Sequence, residues 1–265
     1  MGPSGVRAKM LDDWRQPAPG VVRVESGGDV MLYDPYLAGN LTADWFEPAR
    51  WRASGAVTGT ARGRGETVFF EAGGHEFALR HCRRGGLVAK FVHDRYFCPT
   101  ESVARPLQEF LLTHRLWRHG LPVAPAAGVR LQRRNLWCRG DLLTRRIAGA
   151  QTLAERLVQG PVEVPVWIAV GRMLGRFHGV GLCHADLNAH NVLFDAHGAA
   201  HLIDFDRGTV RARGLWCDAN LVRLRRSILK ICDAVPAPRF NETLWAALLA
   251  GYRDAAANEA AAGTA

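Results

Sequence analysis

One stretch of 23 residues constrains the fold of this chain more than any other. Residues 184–206 read HADLNAHNVLFDAHGAAHLIDFD, and they contain two short apolar runs separated by DAHG, a pattern typical of a β-hairpin. Asp186 and Asn191 come before or at the start of the hairpin, and Asp204 closes its second strand. A hairpin here places these three side chains at one end.

A carboxylate, an amide and a second carboxylate in one place suit phosphoryl transfer. Asp186 can accept the proton of an attacking hydroxyl, while Asn191 and Asp204 provide oxygen ligands for Mg²⁺. The spacing H-x-D-L-x-x-x-N from His184 to Asn191, followed by D-F-x, matches the catalytic and metal-binding segments of protein kinases. The stretch therefore predicts a phosphotransferase, in which His184 is structural.

Two other interpretations of the same residues are open at this point. Asp186 and Asn191 are residue types that are common in turns without any chemical role. A zinc hydrolase would instead use His184, Asp186, His190 and Asp204 as metal ligands. The zinc interpretation explains less of the chain, because it requires neither a glycine-rich hairpin nor a second lobe.

The N-terminal half contains residues that complement this site. Gly63 and Gly65 lie in the turn of GTARGRGET, where glycine lets backbone amides approach phosphates. Arg80 ends the next predicted strand, and Glu109 lies in a helix predicted over residues 106–118. Kinases carry a phosphate-holding lysine and its glutamate partner in this order. We therefore expect Gly63, Gly65, Arg80 and Glu109 to bind the nucleotide.

The pattern changes from strands to helices near residue 148. Residues 1–20 are predicted to be loose, and residues 21–148 to form a small lobe of five strands and one helix. Residues 149–256 are predicted to form a larger, mostly helical lobe that contains the hairpin, and residues 257–265 a frayed tail.

The charge is unusual, with a net value of +9 and 31 arginines among 34 basic residues. Guanidinium groups bind phosphate and carboxylate well, so binding to nucleic acid, to an anionic membrane or to a small acidic substrate would each explain the arginine content. A GC-rich genome, which favours arginine codons, would explain it without any such partner. No signal peptide or membrane span is predicted, so membrane contact is expected to be peripheral. The scattered cysteines indicate reduced thiols rather than a disulfide framework.

Several motifs together resemble the lipopolysaccharide-core kinases, most closely the 3-deoxy-D-manno-octulosonic acid (Kdo) kinases. The resemblance runs from about residue 55 to residue 230 and is strongest in GRGET, LRHCRRGGLVAKF, QEFLLTHRLWRHGLPV, HADLNAHNVLFD and LIDFDRG. It implies an α+β, protein-kinase-like fold of two lobes, with a small antiparallel sheet in the N-lobe and a mostly helical C-lobe. It also implies ATP and Mg²⁺ as cofactors.

The same resemblance implies transfer of the γ-phosphoryl group to a hydroxyl of Kdo on a Kdo–lipid A precursor. The reaction is expected at the cytoplasmic face of the inner membrane of a Gram-negative bacterium, with peripheral contact to anionic lipid and no nucleic-acid partner. By position, Asp186 is the catalytic base, Asn191 and Asp204 are the metal ligands, and Arg80 holds phosphate. The acidic acceptor makes five arginines candidate contacts, namely Arg83, Arg84, Arg223, Arg225 and Arg226.

The sequence departs at several positions from the patterns of the Kdo kinases and of the protein kinases, and some of these departures bear on the class of substrate. Cys82 stands where the Kdo kinases usually have tyrosine, and Arg80 stands where protein kinases have lysine. Asp206 replaces the glycine of the protein-kinase D-F-G, and no A-P-E segment follows, which argues against a protein substrate. The alternatives are another small-molecule kinase, for a sugar or an aminoglycoside, and a catalytically inactive kinase-like binding protein. The intact Asp186, Asn191 and Asp204 argue against the inactive protein.

Overall fold

The described residues form two compact units in a computed structural model of the chain. The sheet unit comprises Trp14–Arg118 and Ala124–Arg146, and the helical unit comprises His119–Val123 and the chain from Ile147 onward. The division at Arg146 lies two residues before the boundary that the sequence predicts at residue 148. The structure describes residues 14–62, 66–82, 96–98 and 100–262.

An antiparallel sheet forms the sheet unit, with seven strands in the order β1-β2-β7-β8-β5-β4-β3 and β6 paired to β8. Its strands are β1 (Val22–Ser26), β2 (Asp29–Tyr33), β3 (Val57–Arg62), β4 (Glu66–Ala72), β5 (His75–Cys82), β6 (Tyr96–Phe97), β7 (Ala126–Arg134) and β8 (Trp137–Arg145). Its helices are α1 (Pro35–Ala38), α2 (Pro48–Ala53) and α3 (Arg105–Arg118), with 3₁₀ turns at Ala43–Phe46 and Glu101–Val103.

The five strands predicted for this unit are β3, β4, β5, β7 and β8, and all five are present. The β1–β2 hairpin was not predicted. Its signal was the pair Gly27 and Gly28, which both have positive φ (59° and 83°) and so form the tight turn between two strands.

Each face of this sheet carries its own apolar core. On one face, Phe110 and Leu107 of α3 pack on Val129 and Leu131 of β7. Gly140 of β8 makes this packing possible, because a Cβ there would lie 2.3 Å from Cγ of Pro106 at the start of α3. The other face is covered by α1, α2 and the first 3₁₀ turn. The sheet is thus buried on both sides, and α3 lies in a fixed position against β8.

The helical unit contains four helices and five short strands among its described residues. The helices are α4 (Leu153–Gln159), α5 (Val164–Gly179), α6 (Trp216–Cys232) and α7 (Glu242–Ala262). The strands are β9 (Gln151–Thr152), β10 (Leu182–Cys183), β11 (Val192–Phe194), β12 (Ala200–Leu202) and β13 (Thr209–Val210). The predicted hairpin is β11–β12, and α7 continues beyond residue 256, where the sequence predicted its end.

Three glycines let α5 and α7 approach until their backbones touch. A Cβ at Gly171 of α5 would lie 1.9 Å from the carbonyl oxygen of Leu248, and one at Gly251 of α7 would lie 2.2 Å from that of Ile168. A Cβ at Gly175 would lie 2.7 Å from the carbonyl oxygen of Tyr252. Helix α5 also packs against β10 and β12. In the part of the chain that the structure describes, no helix is both long and apolar enough to cross a membrane.

Candidate active site

His184 ties the loop that carries Asp186 to the strand that leads to Asp204. Its Nδ1 accepts a hydrogen bond from the backbone N–H of Asp186 (3.1 Å), and its Nε2 donates to the carbonyl oxygen of Ile203 (3.0 Å). Burial lowers the pKa of His184, so that the ring stays neutral with its proton on Nε2. The side chain also packs edge-on against Phe205. His184 thus has the structural place that the sequence predicts.

Asn191 is oriented by the same loop. Its Nδ2 donates to the carbonyl oxygen of Asp186 (2.9 Å), which turns its Oδ1 away from that contact. Its own carbonyl oxygen accepts from the N–H of Ile203 (3.0 Å), which extends the β11–β12 ladder by one pair. Asn191 is buried, so its side-chain oxygen has a defined direction.

Asp204 has an unusual backbone conformation. Its φ is 64°, in the left-handed region that aspartate adopts more readily than most residues but still at a cost. Val192 pairs with Leu202, so that Asn191 and Asp204 both lie at the same end of the hairpin, next to the loop of Asp186. The structure therefore brings the three residues that the sequence selects to one end of the hairpin.

The oxygens at this end suit a hard divalent cation. Asn191 Oδ1 and the Asp204 carboxylate are ligands of the type that Mg²⁺ prefers. The zinc alternative fits poorly, because both ring nitrogens of His184 are already engaged with the backbone. The described residues contain no group of three or more His, Cys, Asp and Glu side chains that could hold a metal.

The nucleotide residues predicted in the N-terminal half are only partly described. Arg80 of β5 and Glu109 of α3 form an ion pair, in which the Glu109 side chain is buried with 5% exposed and the Arg80 side chain is 34% exposed. A buried carboxylate requires such a partner, and α3 is held rigidly on the sheet. Gly63, Gly65, Arg83 and Arg84 lie outside the described residues.

A polar face of α6 holds the backbone of the loop at three points, and sequence reasoning missed most of it. Asn220 accepts from the N–H of His184 (3.2 Å) and donates to its carbonyl oxygen (3.0 Å), and Ser227 accepts from the N–H of Ala189 (3.1 Å). Between them, Arg223 donates to the carbonyl oxygen of Ala185 (2.6 Å). The spacing of three and four residues along a helix was the available signal.

Arg225, another candidate acceptor contact, is paired within the helical unit. Its guanidinium pairs with Glu242 at the start of α7, and its Cζ lies 5.8 Å from the ring centroid of Trp245. These contacts join α6 to α7, so the side chain is engaged within the fold. Arg226 is exposed on the same helix.

Comparison with known proteins identifies the family. The family model described as "Lipopolysaccharide kinase (Kdo/WaaP) family" matches residues 48–252, which include Arg80, Glu109 and the whole hairpin site. The chain belongs to this family. The Kdo/WaaP resemblance and the α+β, kinase-like fold expected from the sequence are thereby confirmed.

Three relatives that are similar to this chain over most of its length carry the same name. The chain is 39% identical over 206 residues to a 3-deoxy-D-manno-octulosonic acid kinase of Stenotrophomonas maltophilia, with 77% of this chain and 82% of the relative covered. It is 36% identical over 220 residues to the protein of that name from Photobacterium profundum, with 83% and 93% covered. For the protein of that name from Vibrio vulnificus, the identity is 35% over 227 residues, with 85% and 95% covered.

Proposed function

We propose that this chain is a kinase that transfers the γ-phosphoryl group of ATP to a hydroxyl of Kdo in lipopolysaccharide core biosynthesis. The observation that carries the proposal is the match to several relatives that share the name 3-deoxy-D-manno-octulosonic acid kinase over most of both chains. The Asp186, Asn191 and Asp204 cluster supplies side chains suited to that chemistry. The acceptor that we propose is a Kdo–lipid A precursor.

In this proposal Asp186 is the general base. Its side chain is exposed, so an acceptor hydroxyl can reach it, while its backbone is fixed by His184 and by the amide of Asn191. A carboxylate within hydrogen-bond reach of the hydroxyl accepts the proton as the oxygen attacks phosphorus. The tethered loop keeps that carboxylate in place without a large entropy cost at the moment of reaction.

Asn191 and Asp204 hold Mg²⁺ in the same proposal. When bound, the ion neutralises the charge on the nucleotide phosphates. The contribution of the protein is to fix the direction of Asn191 Oδ1 and the position of the Asp204 carboxylate. In the sheet unit, Arg80 holds phosphate and is oriented by Glu109, and Gly63 and Gly65 provide backbone amides for the same purpose.

We also propose that the chain works at the cytoplasmic face of the inner membrane, as a peripheral protein. The net charge of +9 supports attraction to anionic lipid, at about 1 kcal/mol for each basic residue near the surface. The attraction fades within a Debye length of about 8–10 Å, so only arginines on one face act together. Purified protein is expected to sediment with anionic vesicles at low salt and to be released from them at high salt. It is not expected to bind neutral vesicles. Electrostatic docking would be contradicted if the protein bound anionic and neutral vesicles equally and if salt did not change this binding.

The decisive experiment is phosphorylation of a defined acceptor. Purified protein is incubated with ATP, Mg²⁺ and Kdo–lipid A precursor, and the product is examined by mass spectrometry for one added phosphate. The matched control is the lipid A precursor without Kdo, which should gain none. Phosphate on a plain sugar but not on the Kdo compound would instead favour another small-molecule kinase. No transfer to any acceptor would favour an inactive binding protein.

A further inference from the structure

Arg223 differs from the other α6 side chains that contact the catalytic loop. Asn220 is buried and uses both ends of its amide on the backbone of His184, whereas Arg223 is exposed. Its Nη1 donates to the carbonyl oxygen of Ala185, the residue directly before Asp186. A guanidinium has five N–H donors, so most of them are not used by this contact.

The remaining donors of Arg223 are available to a ligand. Among the described residues, Arg223 makes no ion pair with a carboxylate and no second hydrogen bond. By contrast, Arg225 on the same helix pairs with Glu242, and Arg172 on α5 pairs with Asp254. Arg223 thus presents an unneutralised cation, held in one orientation by a carbonyl group.

The position of Arg223 indicates which ligand this guanidinium can bind. A hydroxyl that is phosphorylated must come within hydrogen-bond reach of Asp186, and Arg223 is anchored one residue away along the loop. We therefore expect the rest of the acceptor molecule near the guanidinium. A carboxylate on the acceptor is the group that this planar fork binds best, through parallel N–H···O bonds.

We propose that Arg223 binds the carboxylate of the acceptor and makes the enzyme specific for sugar acids. Arg223 and Asp186 then hold one acceptor at two points, the acid group and the reacting hydroxyl. A neutral sugar lacks the first point and leaves the guanidinium without its partner. The inference rests on the proposed function, since it assigns a contact to the Kdo acceptor.

A purely positional role for Arg223 predicts a different outcome. If the side chain only held the Ala185 carbonyl oxygen, its loss would displace Asp186 and slow transfer to every acceptor alike. If it also binds the carboxylate, its loss weakens acceptors that carry the acid group more than those that lack it. The ratio of kcat/KM between two matched acceptors separates the two roles.

The experiment compares the Kdo acceptor with its carboxamide, in the wild type, Arg223→Met and Arg223→Lys. The wild type is expected to prefer the acid by about 10- to 100-fold in kcat/KM, the size of a charge-assisted contact. Arg223→Met should lose most of this preference through a higher KM for the acid, with the KM for ATP unchanged. Arg223→Lys should keep part of it. Arg253→Met, which removes an exposed arginine from α7, is the control and should keep it all.

Each other outcome counts against the inference. An Arg223→Met enzyme that still prefers the acid would show that the carboxylate binds elsewhere. An equal loss on both acceptors, with their ratio unchanged, would leave Arg223 as a positioning residue only. If the wild type itself transferred no phosphate to the acid acceptor, the proposed function would fail and this inference with it. The wild-type measurement therefore tells the two failures apart.

Discussion

At the scale of single residues, Asp204 combines an unusual backbone conformation with a proposed role as a metal ligand. Its φ of 64° is a conformation that most side chains avoid, and it directly follows the Ile203 carbonyl oxygen that His184 holds. Strain of this kind persists where surrounding contacts impose it, and it is frequent at functional sites. Asparagine tolerates the same conformation, so a change at this position need not disturb the fold.

Asp204→Asn is therefore expected to separate metal binding from folding. The variant should unfold at the same denaturant concentration as the wild type, because asparagine fits the left-handed backbone. Its activity should fall and should be partly restored by high Mg²⁺ or by Mn²⁺, because one anionic ligand has become neutral. Activity measured as a function of metal concentration tests this. Activity independent of any divalent metal would contradict the phosphoryl-transfer mechanism.

Asp186→Ala is expected to separate catalysis from nucleotide binding. Loss of a general base costs on the order of 10²–10⁴-fold in rate. ATP affinity should stay close to normal, because the proposed contact of Asp186 is with the acceptor hydroxyl. Single-turnover rates and ATP titration of the same preparation provide the two readouts. Near-normal turnover would show that the base is another residue.

At the scale of elements, the packing of α3 on the sheet places Glu109 against Arg80. The helix is fixed by its apolar face on β7 and β8, and Glu109 lies on that buried face. The guanidinium of Arg80 is thus oriented by a carboxylate that cannot move independently of the helix. Arginine at this place keeps the charge and the pairing of the lysine that protein kinases have.

Glu109→Gln is expected to weaken ATP binding more than it weakens the fold. The amide fills the same volume but loses the ionic contact, which is worth a factor of about 10 or more in affinity. The KM for ATP should rise by that factor, while the KM for the acceptor stays the same. Glu71→Gln, an exposed change on β4, serves as the control. An unchanged KM for ATP would mean that the pair is only structural.

The sequence was sufficient for those parts of the molecule where local pattern determines structure. The turn DAHG and the two apolar runs beside it predicted β11–β12, and the motif spacing alone selected Asp186, Asn191 and Asp204. The spacing of Asn220 and Ser227 placed them on one face of a helix but could not show what that face contacts, because their partners are backbone atoms 36 and 38 residues away. A polar residue on a helix shows its role only when the surface that it faces is known.

At the scale of the whole molecule, buried histidines couple stability to pH. Arg213 donates to the hydroxyl of Tyr252 (3.2 Å), and this hydroxyl shares a hydrogen bond with Nδ1 of the buried His178 (2.8 Å). Burial lowers the pKa of His178 to about 4, with the charge of Arg213 adding to the effect. Burial also lowers the pKa of His114 and of His184. All three histidines favour the folded state only while they are uncharged.

Stability is therefore expected to fall as the pH drops from about 6.5 toward 4. The unfolded chain takes up a proton on His178 near its ordinary value of 6.5, whereas the folded chain takes it up only near 4, so acid favours unfolding. Between pH 7 and pH 5 this one group should lower the free energy of unfolding by roughly 2 kcal/mol. Urea unfolding at the two pH values measures the loss. His178→Asn should show a smaller loss, and an equal loss in both proteins would contradict the assignment.

The contact between α5 and α7 also has a consequence for how this chain can vary. Gly171, Gly175 and Gly251 carry no chemistry, and the sequence alone does not distinguish them from the other glycines. A Cβ atom at Gly171 or Gly251 would fit only if the backbones of α5 and α7 moved apart. In a library of random variants these positions should be depleted as strongly as the site itself, whereas Gly160, where an added Cβ meets nothing closer than 3.7 Å, should accept alanine freely. Intolerance to substitution in this enzyme will therefore mark helix contacts as readily as catalytic residues.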